Sequence, residues 1–335
     1  MGDLRNTRPT AEYEERLEEE RLAFAHRAVI HDLPPMHLDW VHRYILPNLS
    51  NLGYSSVDTF FIGNLQTAYE RSARRTRRFI SLGAGNCDAE VRIAGALLES
   101  GVTDFIIDCL DLNEQMLERG KALAAERGVA GNIRSVRGDF NAWEPSTEYD
   151  AVIASQALHH VVKLEALFEA VHRAMSPGGA LIISDMIGRN GHQRWPEALG
   201  FVRQFWRELP ETYRYNHQLR TLDIEYPDWD CSTEGFEGIR SQDILPLLIE
   251  RFRFQFFFAF ANVIDPFVDR SYGPNFDPKS EWDRLFIDRV HACDEAEILS
   301  GRVKPTHMLA VASPTQVQEL ISMDRLTPEF CVRYP

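Results

Sequence analysis

Five short stretches of this chain carry residues able to grip a ligand or move a proton, and each ends an apolar run. "ISLGAGNCD" (80–88) breaks into Gly83-Ala84-Gly85. Glycines there let the backbone turn and approach a ligand where a Cβ would clash. Asp111 closes "DFIIDCLDL" (104–112), where a carboxylate can accept two hydrogen bonds from a ribose diol. "RGDF" (137–140) offers Asp139 to an exocyclic adenine amine and the Phe140 ring as a stacking surface. "YDAVIASQALHHV" (149–161) ends in His159-His160, and an imidazole can act as a general base near neutral pH. "SDMIGRNGHQRW" (184–195) gathers Asp185, Arg189, Asn190, His192 and Arg194, a polar set suited to a ligand bearing hydroxyls, carboxylate or phosphate.

Taken singly, each has a bland reading: a tight turn, an N-cap, a histidine packed under a loop, or polar groups that cap helices and make ion pairs. Their order carries more weight. Strand candidates at 78–82, 104–112, 133–139, 149–157 and 179–187 alternate with helical stretches at 88–100, 114–127 and 163–175. Ser176-Pro177-Gly178-Gly179 is expected to close the last of these helices with turn residues. Strand and helix repeated in this way predict a mostly parallel sheet wrapped by helices on both faces. In such sheets ligands bind outside the carboxyl ends of the strands, where all five stretches lie.

The remaining chain extends this plan. A helix over 241–252, a strand over 253–264 and a last strand over 306–313 complete a Rossmann-like seven-stranded α/β sheet with an antiparallel edge. The organisation reads as an N-terminal helical segment (1–77), a core (78–187), an insertion (188–240), core helix and strand (241–264), a second insertion (265–304) and a last strand with tail (305–335). An amphipathic helix is expected within 11–29, from Leu17, Leu22, Phe24 and Val29 among glutamates. The insertions supply Trp195, Phe201, Trp206, Tyr213, Trp229, Phe267 and Tyr272, read either as core or as a lid that excludes water.

Charge and cysteine usage set further bounds. A net charge of -14 over 335 residues argues against a nucleic-acid partner, because phosphate binding needs a basic surface. The basic run Arg71 to Arg78 is too short to overturn that. No run of about 18 apolar residues and no charged-then-apolar start occurs, so neither a membrane span nor a signal peptide is expected. Five cysteines without Cys-x-x-Cys spacing read as free thiols in a reducing cytoplasm. The oligomeric state stays open, a homodimer being one option.

"ISLGAGNCD", "CLDLNEQML", "RGDF", "YDAVIASQALHHV" and "AMSPGGALIISD" together resemble the class I S-adenosylmethionine-dependent methyltransferases. The resemblance is strong over 77–187 and rests on topology over 241–313. It implies that Gly83 and Gly85, with Ala84, cradle the aminocarboxypropyl part of S-adenosylmethionine. Asp111 with Leu112 would then hold the ribose, and Asp139 with Phe140 the adenine, Ser155 lying beside them. Two departures stand out: Ser81 replaces an acid common two residues before the first glycine, and Cys87 replaces the third glycine. The cofactor has no pyrophosphate, so a side chain at that position is tolerable, whereas a nicotinamide fold uses the third glycine for helix packing.

The implied reaction is methyl transfer to a small polar molecule, expected at oxygen, with N- or C-methylation as the alternative. A non-catalytic cofactor-binding protein is the alternative from another class. Some small-molecule O-methyltransferases carry a base in a similar "LH" position, which makes His159 the candidate base and His160 the second. Asp185, Asn190, His192 and Arg194 are the candidate acceptor-binding residues. His159, His192 and Asp185 are suitable metal ligands by type, but nothing in the sequence fixes their geometry and no metal is expected.

Overall fold

The computed structural model describes residues 33–334 apart from 234, 316 and 317, together with Tyr13, Arg16 and Glu18. The helix expected within 11–29 otherwise lies outside the described residues.

The sheet is built as the sequence implies. Strands β1 (Arg77–Leu82), β2 (Phe105–Asp111), β3 (Ile133–Arg137), β4 (Tyr149–Ser155) and β5 (Met175–Met186) are followed by a two-residue hairpin, β6 (Tyr215–Asn216) and β7 (Thr221–Leu222). The chain then adds β8 (Arg253–Phe260), β9 (His307–Ser313) and β10 (Ile321–Ser322). Side by side the main strands run β10-β8-β9-β5-β4-β1-β2-β3. The sheet therefore has eight strands, not seven. The eighth is a two-residue edge pairing with Phe256 and Phe257, too short to leave a period in the sequence. The antiparallel strand is also not an edge: β9 lies between β5 and β8 and runs against both.

Burial on two faces explains the apolar runs, since every residue from Tyr149 to Ala154 in β4 is buried. Helices Asp88–Glu99, Glu114–Glu126, Leu164–Ala174 and Ser241–Arg251 follow their strands within two residues of the sequence-based bounds. Residues 175–179 differ. The expected turn at Ser176-Pro177-Gly178-Gly179 is instead the start of β5, with an irregular register against β4 between Tyr149 and Ala151.

Register brings the candidate residues to one edge. Leu82 lies opposite both Leu110 and Ala154, so Gly83, Asp111 and Ser155 emerge at the same level. Asp111 pairs with Arg137 and Ser155 with Ser184, which places Asp139 and Asp185 just beyond that line.

The insertions form an aromatic layer of their own. Trp206, Phe267 and Tyr272 are buried; Trp206 packs on Tyr272 and Phe267, and Phe267 packs edge-on against Phe286, which meets Phe205, so these rings are core. Arginines of the basic run meet acids: Arg78 bridges buried Asp108, and Arg74 bridges Glu148 and Asp150.

Candidate functional site

The loop after β1 is shaped by conformation and crowding together. Gly83 and Gly85 sit at φ +69° and +54°, a region that side chains disfavour. A Cβ on Gly83 would fall 2.9 Å from the Ala157 Cβ, so the loop is pressed against the turn after β4. Cys87 shares the left-handed conformation, at φ +57°, and starts helix Asp88–Glu99. Its side chain is fully buried and packs toward Gly120. A Cβ on Gly120 would lie 2.7 Å from the Cys87 Sγ and 2.9 Å from the Asn86 carbonyl oxygen. The close packing that a third glycine would allow is thus achieved by the glycine of the facing helix, Glu114–Glu126. Ser81, the other departure, donates to Glu90 at 2.6 Å. Burial raises the Glu90 carboxyl, so the acid absent from position 81 arrives from the following helix.

Asp111 locks the loop to the second strand. Its two oxygens accept from the Gly85 amide and the Asn113 amide, each at 2.8 Å. Asp139 accepts from the Asn141 amide at 2.8 Å and from the Tyr13 hydroxyl at 2.6 Å. Burial first, and then Asp139, push the Tyr13 hydroxyl upward, which keeps it a donor. Its ring lies 5.4 Å from Phe236. Asn141, absent from the sequence-based set, accepts from the Val162 and Lys163 amides and ties the third-strand turn to the fourth. Phe140 faces Gly83, 3.4 Å from where its Cβ would be.

On the other side of the loop, five residues from three parts of the chain converge. Asp185 is buried and saturated: Oδ2 accepts from the Ala157 and Leu158 amides at 2.9 and 2.7 Å, and Oδ1 from the Met186 amide at 2.8 Å. His159 Nδ1 lies 2.7 Å from the same Oδ1, which fixes the ring and turns Nε2 outward. Nε2 lies 3.4 Å from Glu237 Oε1, which is 2.6 Å from His192 Nε2. His160 Nε2 is 3.7 Å from the other Glu237 oxygen.

Interlocked glycines make this possible. Gly191 and Gly238 have φ +65° and +64°, and the Gly191 amide donates to the Gly238 carbonyl at 2.9 Å. A Cβ on Gly238 would come 3.1 Å from both the Gly191 amide and the His192 ring. His192 itself holds φ +55°, a strained conformation for a side chain of that size. Arg240 anchors the Glu237 loop by donating to the Val162 carbonyl at 3.0 Å and to Glu165, whose carboxyl it holds down at about 2.

These contacts set the charges. For His159, burial lowers the pKa, but the Asp185 charge and hydrogen bond, reinforced by Glu237, outweigh it and raise the ring to about 10. The Asp185 carboxyl is lowered despite its burial, because His159 and the backbone amides hold its charge. The Glu237 carboxyl is likewise held well below the usual range by His159 and His192, against the effect of burial. Burial dominates at His192 and lowers its pKa.

The acceptor-side set read from the sequence is therefore split. His192 joins the cluster. Asp185 supports it from behind, its oxygens taken up by His159 and three backbone amides. Arg194 is buried and pairs with Asp265 at 2.8 Å, and Asn190 exchanges hydrogen bonds with Gln242. Both therefore hold the loop together. Glu237, at the centre of the cluster, was not in the sequence-based set.

Residues 80–179 match the family described as a methyltransferase domain. The ubiquinone/menaquinone biosynthesis C-methyltransferase UbiE of Azotobacter vinelandii is 26% identical over 137 residues, 39% of this chain and 53% of that protein. The sterol 24-C-methyltransferase erg-4 of Neurospora crassa is 35% identical over 78 residues, 23% of this chain and 21% of that protein. The chain thus spans about half or less of the length of these curated relatives. A solved geranyl diphosphate C-methyltransferase from Streptomyces coelicolor A3(2), in complex with Mg2+, geranyl diphosphate and S-adenosyl-L-homocysteine, is 11% identical, covers 90% of this chain and 98% of that one, and has a TM-score of 0.48. Over residues 80–179 the chain is thus similar to methyltransferases. No helix among the described residues is long and apolar enough to cross a membrane.

Proposed function

We propose that this protein transfers a methyl group from S-adenosylmethionine to an oxygen of a small polar molecule, with His159 at the acceptor. The observation that carries this reading is the buried Asp185–His159 pair, two residues beyond the Ala157 against which the Gly83 loop is pressed. The residues present fit the cofactor. A loop that leaves no room for a Cβ at Gly83 is suited to a closely held amino acid tail, and Asp111 and Asp139 provide carboxylates for ribose and adenine. Tyr13 already occupies one Asp139 oxygen, so adenine either shares that carboxylate or displaces the hydroxyl.

When bound, the cofactor supplies an electrophilic methyl group on a sulfonium. What the protein adds is position, worth up to ~7–11 kcal/mol when reacting groups are well aligned, and control of the acceptor's charge. The two carboxylates keep a proton on His159, so in this charge state the ring is a hydrogen-bond donor to an acceptor oxygen. That revises the base role read from the sequence, because an imidazole already protonated removes no proton. A second reading, transfer to a carbon next to such an oxygen, is favoured by the C-methyltransferase names of the curated relatives. The same grip on an enolate or phenolate oxygen serves either outcome.

Calorimetry tests the donor. Micromolar binding of S-adenosylmethionine or S-adenosylhomocysteine and none of NAD is expected, and no binding of either sulfur nucleoside would sink the reading. A panel of hydroxylated small molecules, scored by S-adenosylhomocysteine release and by the position of the new methyl group, tests the acceptor.

A further inference from the structure

We propose that His159, His192 and Glu237 form a binding site for a divalent transition-metal ion, with two imidazole nitrogens and one carboxylate as ligands. One donor atom from each of the three lies within 4.8 Å of the other two. Ligand atoms around a tetrahedral ion at ~2.0–2.2 Å are roughly 3.4 Å apart. Between His159 Nε2 and Glu237 Oε1 the separation is already 3.4 Å. His192 Nε2 and Glu237 Oε1, at 2.6 Å, need to part by under an ångström to admit the ion.

Three further features point the same way. His159 gives its Nδ1 to a buried carboxylate, the outer contact that orients a metal-ligating imidazole and leaves Nε2 for the ion. His192 is held in a strained left-handed conformation by the Gly191–Gly238 contact, and such strain persists where surrounding structure imposes it. The donor set is also discriminating: imidazole with carboxylate suits zinc, iron(II) or cobalt(II), whereas magnesium and calcium prefer all-oxygen sites. Three protein ligands leave a coordination position open, as in catalytic rather than structural sites.

The ion would also be matched in charge: the cluster brings two carboxylates, Asp185 and Glu237, against the imidazoles that would hold it. At the open position it would hold an acceptor hydroxyl and lower its pKa, as metal-bound water is lowered, releasing the proton to solvent. This role rests on the proposed methyl transfer; the binding of the ion does not.

The test uses the full chain without a histidine tag, stripped with chelator and titrated with Co2+, Zn2+ and Mg2+. Expected are one Co2+ or Zn2+ per chain by elemental analysis, visible cobalt absorption bands, a metal-dependent rise in melting temperature, and no competition by Mg2+. Glu237→Gln and His192→Gln should each weaken binding about a hundredfold and abolish the bands, with His172→Gln as an unchanged control. S-adenosylhomocysteine binding, measured alongside, should survive both variants, which separates failure here from failure of the methyltransferase reading. Absence of one-to-one binding, or binding retained in both variants, would overturn the proposal. So would a site filled by Mg2+ but not by Co2+ or Zn2+.

Discussion

The loop edge proposed for the cofactor and the cluster proposed for the acceptor are made differently. Asp111 ends its strand and Gly83 and Asp139 follow theirs by one and two residues, so the sheet register alone aligns them. They are held by backbone amides, such as those of Gly85, Asn113 and Asn141. His159, Asp185, His192 and Glu237 are drawn from two strand ends and two loops of an insertion; Asp185 is held by three backbone amides, and the others are linked through side chains. A site built from strand ends inherits its geometry from the fold. One built on an insertion must supply its own scaffold, here interlocked glycines and a saturated carboxylate.

The difference predicts that damage on the acceptor side spreads. Asp185→Ala strips the partner from three backbone amides and a buried imidazolium. A loss of about 3–5 kcal/mol is expected, as when one member of a buried ion pair is removed. Urea unfolding measures it, and a loss under about 1 kcal/mol would mean that the insertion holds the loop without Asp185. His159→Ala leaves that scaffold in place. It should cut turnover about a hundredfold, a typical contribution of a positioned proton-bearing group, with S-adenosylhomocysteine affinity unchanged. Equal loss of affinity and turnover would instead merge the two sides into one unit.

How much of each side was legible follows from how it is held. Gly83, Gly85, Asp111 and Asp139 could be placed because an apolar strand followed by a turn is a local signal. Glu237 could not, because residues 188–240 carry no period that fixes their path. Its one local mark is "EGFEGIR", where Gly235 and Gly238 take positive φ, and a glycine pair around an acid in an insertion is an ordinary turn by sequence. Arg194 and Asp185 were misplaced for the opposite reason. Residue type shows that a side chain is polar but not that it is buried against Asp265 or capped by three amides. The eighth strand, two residues long, leaves no pattern at all.

Donor-side effects should be smaller and confined. Asp111→Ala removes the acceptor for the Gly85 and Asn113 amides and the carboxylate proposed for the ribose. Cofactor affinity should fall tenfold or more, in line with ~1.5–3 kcal/mol for hydrogen bonds to a charged group. Calorimetry reads this, and an unchanged affinity would remove Asp111 from the binding set. Because backbone amides and register hold the loop, global stability should change far less than in Asp185→Ala.

The smallest effect tests the exchange of a glycine across the loop. Gly120→Ala places a methyl group 2.7 Å from the Cys87 Sγ and 2.9 Å from the Asn86 carbonyl oxygen. Overpacking of this kind costs ~1–3 kcal/mol, partly offset by the ~1 kcal/mol that alanine gains over glycine within a helix. A net loss of roughly 1 kcal/mol is therefore expected. In a Cys87→Gly background the sulfur and its Cβ are gone, and glycine accepts the left-handed conformation that Cys87 adopts at φ +57°. The Asn86 carbonyl still crowds the new methyl group, so the loss should shrink without vanishing. A double-mutant cycle in urea isolates the coupling between positions 87 and 120. Coupling of about 0.5 kcal/mol or more in the relieving direction means that Gly120 does the packing of the missing third glycine. Strict additivity means that Cys87 and Gly120 are small for unrelated reasons.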